Sequence, residues 1–173
     1  MAQRSAISLL GVLLLAGCGR AEPPVEAPEG AEAAPPAAAQ PATVTPQQFA
    51  TLRWLEGRWK GTMPDGNAFY EGYRMVNDST LASLTYPDSV TAAASDSGEI
   101  TLRGGVVRSG NPATGYVVTE LSDGRVHFEP SGSARNNFTW VRASPDAWDA
   151  TLRWPATAEQ PAREVVYPMR RIP

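Results

Sequence analysis

The 173-residue chain contains one cysteine (Cys18), one histidine (His127) and one lysine (Lys60). A lone cysteine excludes any disulfide within the chain. One thiol and one imidazole are too few for a zinc site of the His/Cys type. His127 alternates with Val126 and Phe128, so it is expected on the outer, solvent-facing side of its strand. No Ser-His-Asp set can be argued around such a residue. The formal charge of −3, without a clustered basic face, excludes the electrostatic footprint of a nucleic-acid binder. Nor is there an apolar run approaching the ~20 residues of a membrane-spanning helix.

What is present begins with an export signal. Arg4 supplies a positive start, and Ile7 to Leu15 form a short apolar core. The core ends in Leu15-Ala16-Gly17-Cys18. That quartet resembles the bacterial lipobox, in which the cysteine becomes the first mature residue and carries the lipid. The resemblance implies a lipoprotein signal peptide over residues 1–17 and lipid attachment at Cys18. The alternative is an ordinary signal peptide cut near Ala16, which leaves a free thiol. Gly19 stands where an aspartate would imply inner-membrane retention, so the expected address is the outer membrane, facing the periplasm. Several acyl chains on one cysteine anchor firmly, at about 0.8 kcal/mol per buried CH₂.

Residues 18–43 read as a tether. Arg20 to Thr43 is rich in alanine, proline and glutamate and nearly free of large apolar residues. Such a segment buries too little surface to offset the entropy of ordering. Its prolines favour an extended spacer.

The folded domain is expected over residues 44–173. Thr45 is placed as a helix N-cap, with Pro46 at the first helical position and Gln48 completing a capping box. Val44 and Phe49 stand where a hydrophobic staple closes the turn. Phe49, Leu52 and Leu55, with Trp54 beside them, make an apolar stripe that is expected to plug or cover a sheet. Gly57 ends the helix, because the residue past a helix often needs positive φ. From Arg58 onward the period becomes two. Turn signals recur at Pro64–Asn67, Asn77-Asp78, Ser95–Gly98, Asn111–Gly115, Ser122–Gly124 and Ser144–Asp146. Between them lie about eight to ten short strands, with EITLRGGVV taken as one segment. Phe69, Glu71, Tyr73 and Met75 share one face, as do Phe138, Trp140 and Arg142, and Trp148, Ala150, Leu152 and Trp154. Short links favour antiparallel neighbours, and closure into an up-and-down barrel buries the apolar faces and removes exposed edges.

Gly57-Arg58-Trp59 and Gly61 after a short helix, the strands that follow, and the basic end Tyr167–Arg171 resemble the lipocalin-like (calycin-type) β-barrels. Trp54-Leu55, Glu71 and Phe128-Glu129-Pro130 extend the similarity to an uncharacterised lipocalin-like family of secreted bacterial proteins. The resemblance implies that Trp59 opens the first strand and that Arg170 or Arg171 packs over it, a cation–π contact of about 0.5–2 kcal/mol. Ser131 to Asn137 replaces that family's usual late segment, and the family carries no catalytic residues.

Glu71 is the polar residue that draws notice, since a carboxylate on an inner face is costly unless paired. Arg142 is one expected partner; Arg74 and Arg103 are others. Glu71, Tyr73, Trp140 and Arg142 form the expected polar and aromatic points of an apolar pocket. The leading expectation is a non-enzymatic lipoprotein binding a small apolar or amphipathic ligand, with no metal or cofactor. The alternative is a filled barrel acting as a structural or interaction module of the envelope. A third reading, a haem-linked enzyme, uses His127.

Overall fold

The computed structural model describes residues 39–173. The expected signal peptide, Cys18 and nearly all of the tether lie outside the described residues. Ten antiparallel strands follow a short helix: β1 (Gly57–Thr62), β2 (Ala68–Asn77), β3 (Thr80–Tyr86), β4 (Asp96–Arg103), β5 (Val106–Ser109), β6 (Tyr116–Ser122), β7 (Arg125–Pro130), β8 (Asn137–Ser144), β9 (Ala147–Trp154) and β10 (Arg163–Ile172). Each strand pairs with its chain neighbours, and β1 pairs with β10. The result is the closed up-and-down barrel that the period-two patterning predicts.

The start of the domain is local chemistry. Thr45 Oγ1 accepts from the Gln48 N–H at 3.2 Å, and Gln48 Oε1 accepts from the Thr45 N–H at 2.8 Å. This is the expected capping box. Only Pro46–Ala50 (α1) is α-helical; Thr51–Leu55 continues as a 3₁₀ turn. At three residues per turn, Phe49, Leu52 and Leu55 fall in line along one edge. All three are fully buried. They pack with Trp54, Trp59 and Trp148 and plug one end of the barrel. The segment before α1 is stitched on too: the Ala42 N–H donates to Val118 O, and the Val44 N–H donates to Gly105 O.

Two segmentations change. EITLRGGVV is a hairpin rather than one strand, because Gly104 and Gly105 both take positive φ (57° and 79°). Two such residues are what a tight type I′ turn requires. Asp96, Ser97 and Gly98 lie inside β4, and the turn before them is the longer stretch 87–95. There Arg58, not a short turn motif, organises the chain: its Nη2 donates to the carbonyls of Asp88 and Thr91. Pro168 sits in β10 one residue beyond the β1–β10 ladder, so its missing N–H breaks no registered pair with β1.

The opening of β1 explains its own sequence. Trp59 is fully buried, and its indole N–H donates to Leu55 O at 2.6 Å. The Arg171 guanidinium lies 4.2 Å from the Trp59 ring centroid. It donates to Glu56 O at 2.7 Å and pairs with Asp146 at 3.0 Å. Gly57, at φ 120°, stands against that guanidinium, and a Cβ there would overlap Arg171 Nη1. Arg171 is therefore the cation over Trp59. Arg170 is exposed and turns back to its neighbour's carbonyl, Met169 O.

Candidate functional site

The five links on the plugged side are the entry to β1 and the β2–β3, β4–β5, β6–β7 and β8–β9 turns. The opposite end carries the other five links, and there the interior is not filled. A cavity of about 440 Å³ runs in from Met63 of the β1–β2 turn and Asn136 of the β7–β8 loop. Its walls are Phe69, Glu71 and Tyr73 of β2, Tyr116 of β6, Phe138 and Trp140 of β8, Trp148 to Leu152 of β9 on alternate positions, and Tyr167 and Met169 of β10. Alternation along β2, β8 and β9 delivers these side chains inward.

The floor is aromatic. Tyr73, Trp140 and Trp148 meet edge to face, with centroids 5.4 to 6.0 Å apart. Such pairs contribute about 0.5–1.5 kcal/mol beyond their burial. Phe69 packs on Tyr167 at 5.8 Å, and Tyr116 on Phe138 at 4.7 Å, nearer the mouth. The Tyr116 hydroxyl donates to Asn136 Oδ1 at 2.9 Å, which ties the β7–β8 loop to β6. The Trp148 indole N–H has no acceptor among the described residues.

Among the described residues, Glu71 is the one charged side chain on this wall. Among the described residues no arginine meets it and it makes no salt bridge. Its partner is Tyr73, two positions on along the same face, whose hydroxyl donates to Glu71 Oε2 at 2.7 Å. Burial raises the Glu71 carboxyl above its ordinary value, and the Tyr73 hydrogen bond draws it partly back. Tyr73 is raised well above the usual phenol value by its own burial and then by the Glu71 charge, so it remains a donor.

Of the four expected pocket residues, the structure brings Glu71, Tyr73 and Trp140 together and leaves Arg142 out. Arg142 does share a strand face with Trp140, but it lies two residues nearer the plugged end, opposite Trp148. It is exposed there, and its Nε donates to Ser144 O. Alternation fixes the face of a strand residue, not its height along the barrel. Phe69, Tyr116, Phe138, Trp148 and Tyr167 were absent from the expected set. The alternation at 148, 150 and 152 was visible in the sequence. The Tyr116–Phe138 meeting across three strands was not.

His127 does not line the cavity. It faces outward but is not bare: Nδ1 lies 2.7 Å from Thr139 Oγ1, and Nε2 lies 2.9 Å from Glu129 Oε1. Asn137 donates to the same Glu129 oxygen at 3.2 Å. This cross-strand set covers Thr139, which is almost fully buried on the outer face. Among the described residues, no three His, Cys, Asp or Glu side chains gather as metal ligands.

No protein-family model matches the chain, and no curated protein matches it. Among solved structures it is similar to EF1p2_mFAP2b bound to DFHBI, at 10% identity, covering 72% of this chain and 99% of that one, with a TM-score of 0.38. It is also similar to a redesigned beta barrel, b11L5F_LGL, at 14% identity, covering 71% and 96% of the two chains, with a TM-score of 0.35. Likeness at that level carries no inference about ligand or role. The barrel assignment rests on the closed ladder of this chain itself.

Proposed function

We propose that this is a lipid-anchored envelope protein whose lipocalin-like barrel binds a small apolar or amphipathic molecule. The observation that carries the binding reading is the cavity of about 440 Å³, open at one end and walled by six aromatic side chains of β2, β6, β8 and β9 plus Tyr167 of β10. Ligand sites are concave and mostly apolar, with a few placed polar groups. Here the polar groups are the Glu71–Tyr73 pair and, at the rim, Asn136. The cavity leaves part of the barrel interior unfilled, so the barrel is not solid throughout.

The anchor and address rest on the sequence. The lipobox-like Leu15–Cys18 and the following Gly19 support lipidation of Cys18 and sorting to the outer membrane, facing the periplasm. Metabolic labelling with palmitate, lost in Cys18→Ser, tests the anchor. Native mass spectrometry of the Cys18→Ser chain purified from the periplasm tests the pocket. A small-molecule adduct released by mild organic extraction is the expected result; adduct-free protein that takes up no apolar probe refutes it.

A further inference from the structure

From the cavity wall we infer that the ligand carries a cationic amine on an apolar or aromatic body, with the ammonium seated between Glu71 and the aromatic rings. This rests on the pocket reading above and narrows it. The geometry has three parts. Among the described residues that line the cavity, Glu71 is the only charged one. Its Oε2 is already engaged by the Tyr73 hydroxyl, while Oε1 has no hydrogen-bond partner among the described residues. Tyr73, which holds Glu71, meets Trp140 and Trp148 edge to face, and Phe69 lines the same cavity.

A carboxylate in such a place repels a fatty acid headgroup and gives a neutral chain nothing to offset its lost water. An ammonium does both jobs at once. It donates to the free Oε1 in a charge-assisted hydrogen bond, and it meets the negative faces of the surrounding rings. The Tyr73 hydroxyl cannot take over as the counter-charge; it only donates, and so favours the ionised form of Glu71. The neighbours of Glu71 leave that role open. Its cross-strand partner on β1 is Trp59 and on β3 is Thr85. Asp96 of β4 is next in register beyond Thr85 and adds negative, not positive, charge to that side. Tyr116 and Tyr167 are the other titratable groups of the wall. Burial has raised the Glu71 carboxyl, and a bound cation would lower it again. Amine affinity therefore falls as acid titrates Glu71, whose carboxyl burial holds above its ordinary value in the empty pocket.

The test uses the full-length Cys18→Ser chain and three probes of one shape: 4-phenylbutylamine, 4-phenylbutan-1-ol and 4-phenylbutanoate. Titration calorimetry at neutral pH is expected to show the amine binding at least about ten-fold tighter than the other two, the size of one charge-assisted hydrogen bond. Glu71→Gln should erase that preference, so that the amine no longer binds tighter than the alcohol. Tyr73→Phe, which strips Glu71 of its donor, should keep the preference but move the pH midpoint of amine binding upward. If the alcohol or the carboxylate binds as tightly as the amine, or if Glu71→Gln leaves the ratio unchanged, the amine inference is overturned and the pocket stands. If none of the three binds, the pocket reading falls and the amine inference with it.

Discussion

Glu71 and Gly57 show how single residues were and were not legible. Glu71 stood out because it interrupts an apolar face, and its inward position follows from alternation with Phe69 and Tyr73. Its partner did not follow. Charge pairing made an arginine the natural guess, whereas the structure supplies a phenol two residues along the same strand. Burial raises the Glu71 carboxyl above 4.5, so the folded chain holds that proton more tightly than the unfolded one. Stability therefore falls as pH rises from 4.5 through the folded midpoint, and the loss is complete above it. Glu71→Gln should remove this slope. Urea unfolding is expected to show a higher midpoint for the variant at neutral pH and no difference in acid below both values. A wild-type advantage at neutral pH would contradict the assignment. Gly57 was legible as a helix stop with positive φ. That it must also lack a side chain, so that Arg171 can reach Glu56 O and the Trp59 ring, depends on a residue more than a hundred positions away.

At the level of elements, the N-terminal plug divides in the same way. Its cap is written within four residues, so Thr45, Pro46 and Gln48 announced it fully. Its switch from α to 3₁₀ after Ala50 was not announced, because the tighter turn is favoured by lining up Phe49, Leu52 and Leu55 over a barrel end that the local sequence does not describe. The two features predict different sensitivities. Thr45→Ala should cost about 1 kcal/mol, the usual worth of an N-cap. Phe49→Ala, which empties a fully buried site, should cost about 3–5 kcal/mol. Denaturant melts of the two variants check the ranking; equal losses would mean that the plug is held by its cap and not by its packing. The β4–β5 hairpin was hidden for another reason. Gly104-Gly105 reads equally as a flexible spot in one strand or as a turn, and only pairing of Arg103 with Val106 decides between them.

For the whole molecule, closure is uneven. β9 and β10 share a long registered ladder from Trp154–Arg163 to Ala147–Arg170, whereas β5 and β6 pair only at Arg108–Val117 and Ser109–Tyr116. The Ala42 N–H adds one bond to β6 beside that seam. Few backbone hydrogen bonds and little cover mark a segment that opens locally. Hydrogen exchange should accordingly reach β5 and the start of β6 first and β9–β10 last; uniform protection around the barrel would refute a seam there. The amino-acid sequence alone determined the period-two strands, their rough number, the capped helix and the inward aromatic faces, because each depends on spacing within a few residues. It also carries the lipobox-like start, for which the described residues offer no counterpart. Only the tertiary structure decided which faces meet, how high each residue sits along the barrel, and that Arg171 and not Arg170 covers Trp59. Those depend on strand register across the closed ladder, which no local pattern encodes, and they are what leave one end filled and the other hollow around Glu71.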